Sequence, residues 1–273
     1  MNCSMSLAKR LAAATLLGIS ACQTVQTTSP GAIGVERKQH MLVSEAAVES
    51  GAVAAYAAEL GKAREAGALN ANPVTVARVR GIAQRLIKQT PTFRADALSW
   101  HWDINVQSTK ELNAYCMPGG KIMVYTGLID QLELTDAELA TVVGHEMAHA
   151  LREHSREAVS RAYAEQIGLE GLALITGMGG VTMELASQVA HVTFTLPRSR
   201  VQESEADRIG LELMARAGFD PHAALVLWKK MAQAQHGGSP AFLNTHPSSE
   251  TRLSDLQALL PRVVPLYEAA AKN

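Results

Sequence analysis

A mostly helical α+β domain is what this 273-residue sequence predicts. Apolar residues recur at helical spacing in long stretches, as in Val76, Val79, Ile82, Ala83, Leu86 and Ile87. Period-two alternation is confined to Leu98–Gln107 and to two short apolar pieces flanking Pro118-Gly119-Gly120, enough for one small sheet. Between these regions a helical stretch carries His145-Glu146-Met147-Ala148-His149, and the remaining elements are read around it.

Residues 1–21 read as a signal peptide. Lys9 and Arg10 supply a positive start, and Leu11 to Ile19 form an apolar run too short to span a bilayer as a finished helix. The run closes Ile19-Ser20-Ala21-Cys22, which resembles a bacterial lipobox with Cys22 as the lipidated first residue. The alternative is ordinary cleavage after Ala21, leaving a free thiol. Gln23 after the cysteine, by resemblance to sorted lipoproteins, points to the outer membrane. The expectation is a periplasmic domain held at the bilayer by its lipid. Removing these residues takes Lys+Arg from 25 to 23 against 26 acidic residues, a net charge of −3. That excludes a strongly basic footprint and argues against nucleic acid as a partner. Cys116 is then the one remaining thiol, so no intrachain disulfide is expected, and it reads as a packed side chain.

From residue 22 to 40 the chain is rich in Thr, Ser, Gln and Gly and reads as a flexible tether. The domain proper is expected over 41–262, with 263–273 as a tail. Leu42–Arg64 reads as a first helix and Pro73–Lys88 as a second, with a break over Gly67–Asn72. Leu98–Gln107 alternates, apolar at even and polar at odd positions, which predicts a half-buried strand with His101 on the solvated face. Leu112–Tyr125 reads as two strands joined by the Pro-Gly-Gly turn. Asn113 and Ala114 are candidates for an exposed edge that holds a peptide as an added strand. A hairpin merely packed on the core is an equal alternative.

The central helix has its own start signal. Thr135-Asp136-Ala137-Glu138 fits a capping box, and Leu134 before the cap can staple to Leu139. His145 and His149 stand four apart, one turn above the other, so both imidazoles reach one ion, with Glu146 beside it as a general base. Val142, Val143, Met147, Ala150 and Leu151 make one face apolar, so the helix is buried. Burying two histidines and a glutamate is costly without partners, and a metal is the simplest partner. The competing reading is a core helix with hydrogen-bonded histidines. His154 lies about 140° round the helix from His149 and cannot easily share the ion. Ser155 and Arg152 stand where a metzincin has its third histidine and its glycine, which excludes that class. Residues 167–197 are apolar and Gly-rich and read as a helical hairpin, with a mobile lid as the alternative.

A third ligand is offered by Glu203 on a second helix. Asp207 shares its face four residues on and can hydrogen-bond a ligating imidazole, whereas Glu205 points elsewhere. Two histidines and one glutamate are the open, catalytic donor set for zinc rather than the closed structural one.

Gly144-His-Glu-Met-Ala-His149, Ser199-Arg200 with Glu203-x-Glu-Ala-Asp207, Asn113-Ala with Pro118-Gly-Gly, and Asn244-Thr-His-Pro247 with Glu250-Thr-Arg252 occur in this order. Together they resemble the HtpX / CAAX prenyl endopeptidase family of gluzincins, in its soluble periplasmic lipoprotein branch, over roughly residues 40 to 260. The resemblance implies a zincin core of minigluzincin type and one Zn2+ per chain, with His145, His149 and Glu203 as ligands and Glu146 as base. It also implies endoproteolysis of misfolded or unassembled envelope proteins. By the same resemblance His246 faces the zinc, either as an oxyanion donor or as a fourth ligand that silences the site. Arg252 binds substrate or ties down the loop. The competing functions are a zinc-bound chaperone or assembly scaffold for outer-membrane proteins with repressed proteolysis, and, more remotely, a small-amide hydrolase.

Overall fold

Side-chain caps and glycine turns set the succession of elements. The computed structural model describes residues 23–167, 183–235, 241–247, 250–270 and 272. The expected signal peptide with Cys22, and the Gly-rich centre of the 167–197 segment, lie outside the described residues. A two-stranded antiparallel ribbon, β1 (Gln23–Val25) with β2 (Gln39–Met41), leads into α1 (Glu45–Glu65), capped by Ser44, and α2 (Pro73–Ile87), capped by Asn72. Next come β3 (Asp103–Gln107), β4 (Ala114–Met117), β5 (Lys121–Tyr125), the short α3 (Thr126–Gln131), α4 (Asp136–Leu151) and α5 (His154–Ile167). The rest is helical: α6 (Met183–Phe194), α7 (Arg200–Arg216), α8 (Ala223–Gln235), the single-turn α9 (Ala241–Thr245) and α10 (Glu250–Ala270). Among the described residues no helix is long and apolar enough to cross a membrane.

The larger sheet has the order β3-β5-β4, with β3 parallel and β4 antiparallel to β5. Every residue of β5 is buried, as a central strand covered on both faces must be. β4 is left as an edge and packs against α4. The β4–β5 turn needs its glycines: Gly119 and Gly120 have φ of 74° and 79°, and a Cβ on Gly120 would stand 2.6 Å from the Trp102 ring.

Three expectations change. The strand read over Leu98–Gln107 begins only at Asp103; Ala95–Ser99 forms a 3₁₀ turn instead. Alternation there arises from a tryptophan pair, Trp100 stacked on Trp102 at 5.4 Å, while Leu98 is exposed. Residues 23–40, read as a tether, pack on the domain as an arm that runs on into Met41. Their polar composition conceals the apolar anchors Ile33 and Val35, and Gln39 is buried with its amide donating to the Arg152 carbonyl at 2.7 Å. Beyond residue 262 the chain continues as helix to Ala270, because Val263 is fully buried and holds α10 on the core.

Both halves of the Thr135/Glu138 capping box form at the start of α4, and Ser199 with Gln202 caps α7 the same way. These two helices cross at glycines. A Cβ on Gly144 would meet the Gly210 carbonyl at 3.1 Å, and one on Gly210 would lie 2.8 Å from the His145 nitrogen. A Gly210→Ala chain is therefore expected to lose about 1–3 kcal/mol as the backbones are forced apart. Gly61→Ala in α1, where a Cβ meets nothing, should hold or slightly raise stability. Denaturant melts of the two variants check this; equal stability would refute the close-contact account.

Candidate metal centre

Two helices and a loop bring polar side chains to one buried point. His145 and His149 project from the same face of α4 with their Nε2 atoms 3.1 Å apart. From α7, Glu203 puts Oε2 3.4 Å from His145 Nε2 and Oε1 3.3 Å from His149 Nε2. Asp207, one turn further, lies 3.0 Å from His145 Nδ1. His246 follows α9, its ring stacked on Phe242 at 4.4 Å. Its Nδ1 is 3.0 Å from Glu203 Oε1 and 3.2 Å from His145 Nε2, and its Nε2 is 3.3 Å from Glu146 Oε1. One ligand atom each from His145, His149, Glu203 and His246 fall within 4.8 Å of one another, and all four residues are buried.

The other predicted residues divide. Arg252, on α10, is buried with Nε and Nη2 on the two Asp207 oxygens, Nη2 2.9 Å from Glu203 Oε2, and its guanidinium 3.5 Å above the Trp228 ring. It grips the carboxylates of Asp207 and Glu203. Ala114 opens β4, and its amide donates to Asn113 Oδ1 at 2.9 Å. Tyr125 N–H donates to the Asn113 carbonyl, so by antiparallel alternation Ala114 and Cys116 turn their backbone groups away from β5. Burial, and then the Glu146 carboxylate, raise the Cys116 thiol well above its usual range, so this strand lies within electrostatic reach of Glu146. Cys116 is buried and free, as expected for a packed thiol.

Sequence reading left several contributors unassigned. Trp228 and Phe242 wall the histidines, with the Trp228 ring 5.8 Å from that of His145. His154 is not one of the four residues of the metal group; the helix that the expected angle assumed ends at Leu151, and His154, opening α5, puts its Nδ1 2.8 Å from His149 Nδ1. Arg198 is buried beside Ser155, and its charge acts on Glu146 and Glu203.

The donor set fits a divalent ion. Three imidazole nitrogens and a carboxylate converge at distances where their lone pairs repel unless a cation or proton intervenes. Glu203 Oε2 has an ion-pair distance to Arg252 but no hydrogen bond of acceptable geometry, and Glu146 Oε1 has none. Buried carboxylate oxygens in that condition call for a ligand.

The family model for peptidase family M48 matches residues 73–260, which include every residue of this centre. The chain belongs to peptidase family M48. It is 37% identical over 166 residues to the mitochondrial metalloendopeptidase OMA1 of Schizosaccharomyces pombe, covering 59% of this chain and 47% of that one. It is 32% identical over 180 residues to human OMA1, covering 62% and 34%. To the β-barrel assembly-enhancing protease of Yersinia pestis it is 27% identical over 219 residues, covering 74% and 42%. The chain thus spans about half or less of the length of these M48 relatives. The expected gluzincin family holds at this level, and the narrower likeness runs to OMA1 and the assembly-enhancing proteases rather than to HtpX and CAAX prenyl endopeptidases.

Electrostatics of the M48 centre follow from burial against pairing. Burial opposes a charged His145, but its bonds to Asp207 and Glu203 prevail and push the pKa up to about 9. At His149 burial prevails and the pKa falls well below 6.5, and at His154 to about 4 despite Glu205. Burial would raise Glu203, yet the His246 and His145 charges hold it well below 4.5. The signs give a pH profile for the metal-free chain. A raised His145 contributes stability that is complete below about pH 6.5 and is lost as pH rises through about 9. Depressed His149 and His154 contribute stability that is present above about pH 6.5 and is lost as pH falls, at His154 through about 4. With chelator present, melting temperature is expected to peak near pH 6.5 and decline on both sides; a profile rising steadily to pH 9 would contradict these assignments.

Proposed function

We propose that this M48 chain is a zinc endopeptidase in which His145, His149 and Glu203 hold the metal and Glu146 is the general base. The observation that carries the reading is the buried convergence of those side chains on one point with Glu146 alongside. Zinc supplies Lewis acidity, which acidifies water and polarises a peptide carbonyl. Glu146 takes the proton from the attacking water and returns it to the leaving amine. His246, whose Nε2 lies 3.3 Å from Glu146 Oε1, donates to the oxyanion once its ring has left that carboxylate. Asp207 and Arg252 orient His145 and Glu203. A substrate strand is held along the β4 edge that begins at Asn113 and Ala114, on the backbone groups that Ala114 and Cys116 turn away from β5. Misfolded or unassembled envelope proteins are the proposed substrates. The bacterial relatives' names speak for this, as does the lipobox-like Ser20-Ala21-Cys22, which would anchor the domain to the outer membrane from the periplasm.

Glu146→Gln is expected to retain about one zinc per chain and to lose roughly 10²–10⁴-fold in casein cleavage; comparable cleavage by the variant would reject the assignment. Cys22→Ser should move the protein from the membrane to the soluble periplasmic fraction, and its continued sedimentation with outer membranes would dismiss the lipid anchor.

A second reading, a zinc-bound chaperone or assembly scaffold with repressed proteolysis, is favoured by His246 Nδ1 lying inside the metal group. His246→Ala separates the two. Increased cleavage means that His246 closes the site as a fourth ligand; a fall by roughly 10²-fold means that it stabilises the oxyanion.

A further inference from the structure

Helix α7 carries acids at every second position, Glu203, Glu205 and Asp207, and the middle one faces away from the metal. It is nevertheless buried, 6% exposed, and a buried carboxylate needs partners of its own. Glu205 has three. His154 Nε2 is 3.0 Å from Oε2, Arg152 Nη2 is 3.0 Å from Oε1, and Arg37 spans both oxygens with Nε and Nη2 at 2.9 Å each. By its other nitrogen His154 meets His149, Nδ1 to Nδ1 at 2.8 Å. This contact sets the hydrogen-bond directions. With His149 Nε2 turned to the metal group, its Nδ1 bears the hydrogen and donates to His154 Nδ1. His154 then bears its hydrogen on Nε2 and donates it to Glu205. The backbone allows this because α4 has ended: Glu153 takes φ of 52°, and His154 opens α5 with its ring folded back to 4.9 Å from the His149 ring.

We propose that His154 and Glu205 are positioning residues for the metal ligand His149, and that Arg37 on the N-terminal arm is the outer clamp of that pair. The proposal rests on the zinc endopeptidase reading of this centre. It completes a symmetry: His145 is held from α7 by Asp207 with Arg252 behind it, and His149 from α7 by Glu205, through His154, with Arg37 and Arg152 behind it. Arg37 is fixed in turn by both oxygens of Glu157, which also accepts from Gln39 and Gln202 at 3.1 Å, and its carbonyl accepts from Arg152 Nη2 at 2.9 Å. The arm of residues 23–41 is therefore part of the metal site's support and not a spacer.

Zinc affinity, measured on the full chain by competition with a chromogenic chelator well below the melting temperature, tests this without reference to cleavage. Wild type binding about one zinc per chain is the control for the site itself; failure there ends the zinc reading, whatever the variants do. His154→Ala is expected to weaken zinc binding by about 10–100-fold. His154→Asn keeps an acceptor toward His149 Nδ1 and should recover most of that loss. Arg37→Gln, distant from the ion, should weaken binding by a smaller factor of up to about tenfold. Variants that melt earlier but bind zinc as wild type does would overturn the proposal, because a structural role lowers stability without moving the affinity. Wild-type affinity in Arg37→Gln alone would remove the arm from it.

Discussion

The approach of α4 and α7 at Gly144 and Gly210 is the contact on which the rest of the centre depends. Donor atoms from the two helices lie 3.3–3.4 Å apart, His145 and His149 on one side and Glu203 on the other. Side chains of fixed length can meet so closely only if the helix axes are close, and side chains at the crossing set how close they come. With no Cβ at either glycine, the backbones touch directly beside His145. The same crossing buries Leu139, Val143, Met147, Ala206, Ile209 and Leu213 in one apolar cluster. Apolar packing thus supplies the force that brings the polar groups together, and the glycines set the distance at which they stop.

Holding charges in such a core has a cost that pairing must offset. Glu146, Glu203 and Asp207 are buried near one another, and the guanidiniums of Arg252 and Arg198 are the fixed positive charges acting on this group. Without metal, burial opposes a charged His145, but its bonds to Asp207 and Glu203 push its pKa up to about 9, so that imidazole carries a proton among these carboxylates. A divalent ion held by these side chains would take over that role and add a further positive charge beside Glu146.

Much of this was legible in the sequence because it depends on local rules. A capping box, a four-residue histidine spacing and an i, i+4 acid pair are each fixed within a few residues, and each appears where the pattern put it. What escaped was non-local. The helical angle of Glu205 turns it from the metal group, but its partners come from residues 37, 152 and 154, which no spacing within α7 reveals. Composition misleads at the arm because it averages over a segment, whereas Ile33 and Val35 act singly. Gly210 stands inside a helix, where glycine ordinarily signals weakness; only the crossing with Gly144 shows why it is there.

His246 shows how the scaffold constrains the chemistry. Its two nitrogens face different partners, Nδ1 toward Glu203 and His145 and Nε2 toward Glu146. A ring held through Nδ1 keeps Nε2 against Glu146, so one imidazole engages Glu203 and the Glu146 carboxylate at once. A ring serving a substrate oxyanion must leave the first arrangement. Its main-chain nitrogen bonds the Phe242 carbonyl, its ring lies on Phe242, and the preceding Thr245 carbonyl accepts from Arg198 N–H at 2.8 Å. The backbone that carries this ring is thus fixed through the α9 turn, and Phe242 is buried in the same apolar cluster as Met147, which stands between the paired histidines of α4.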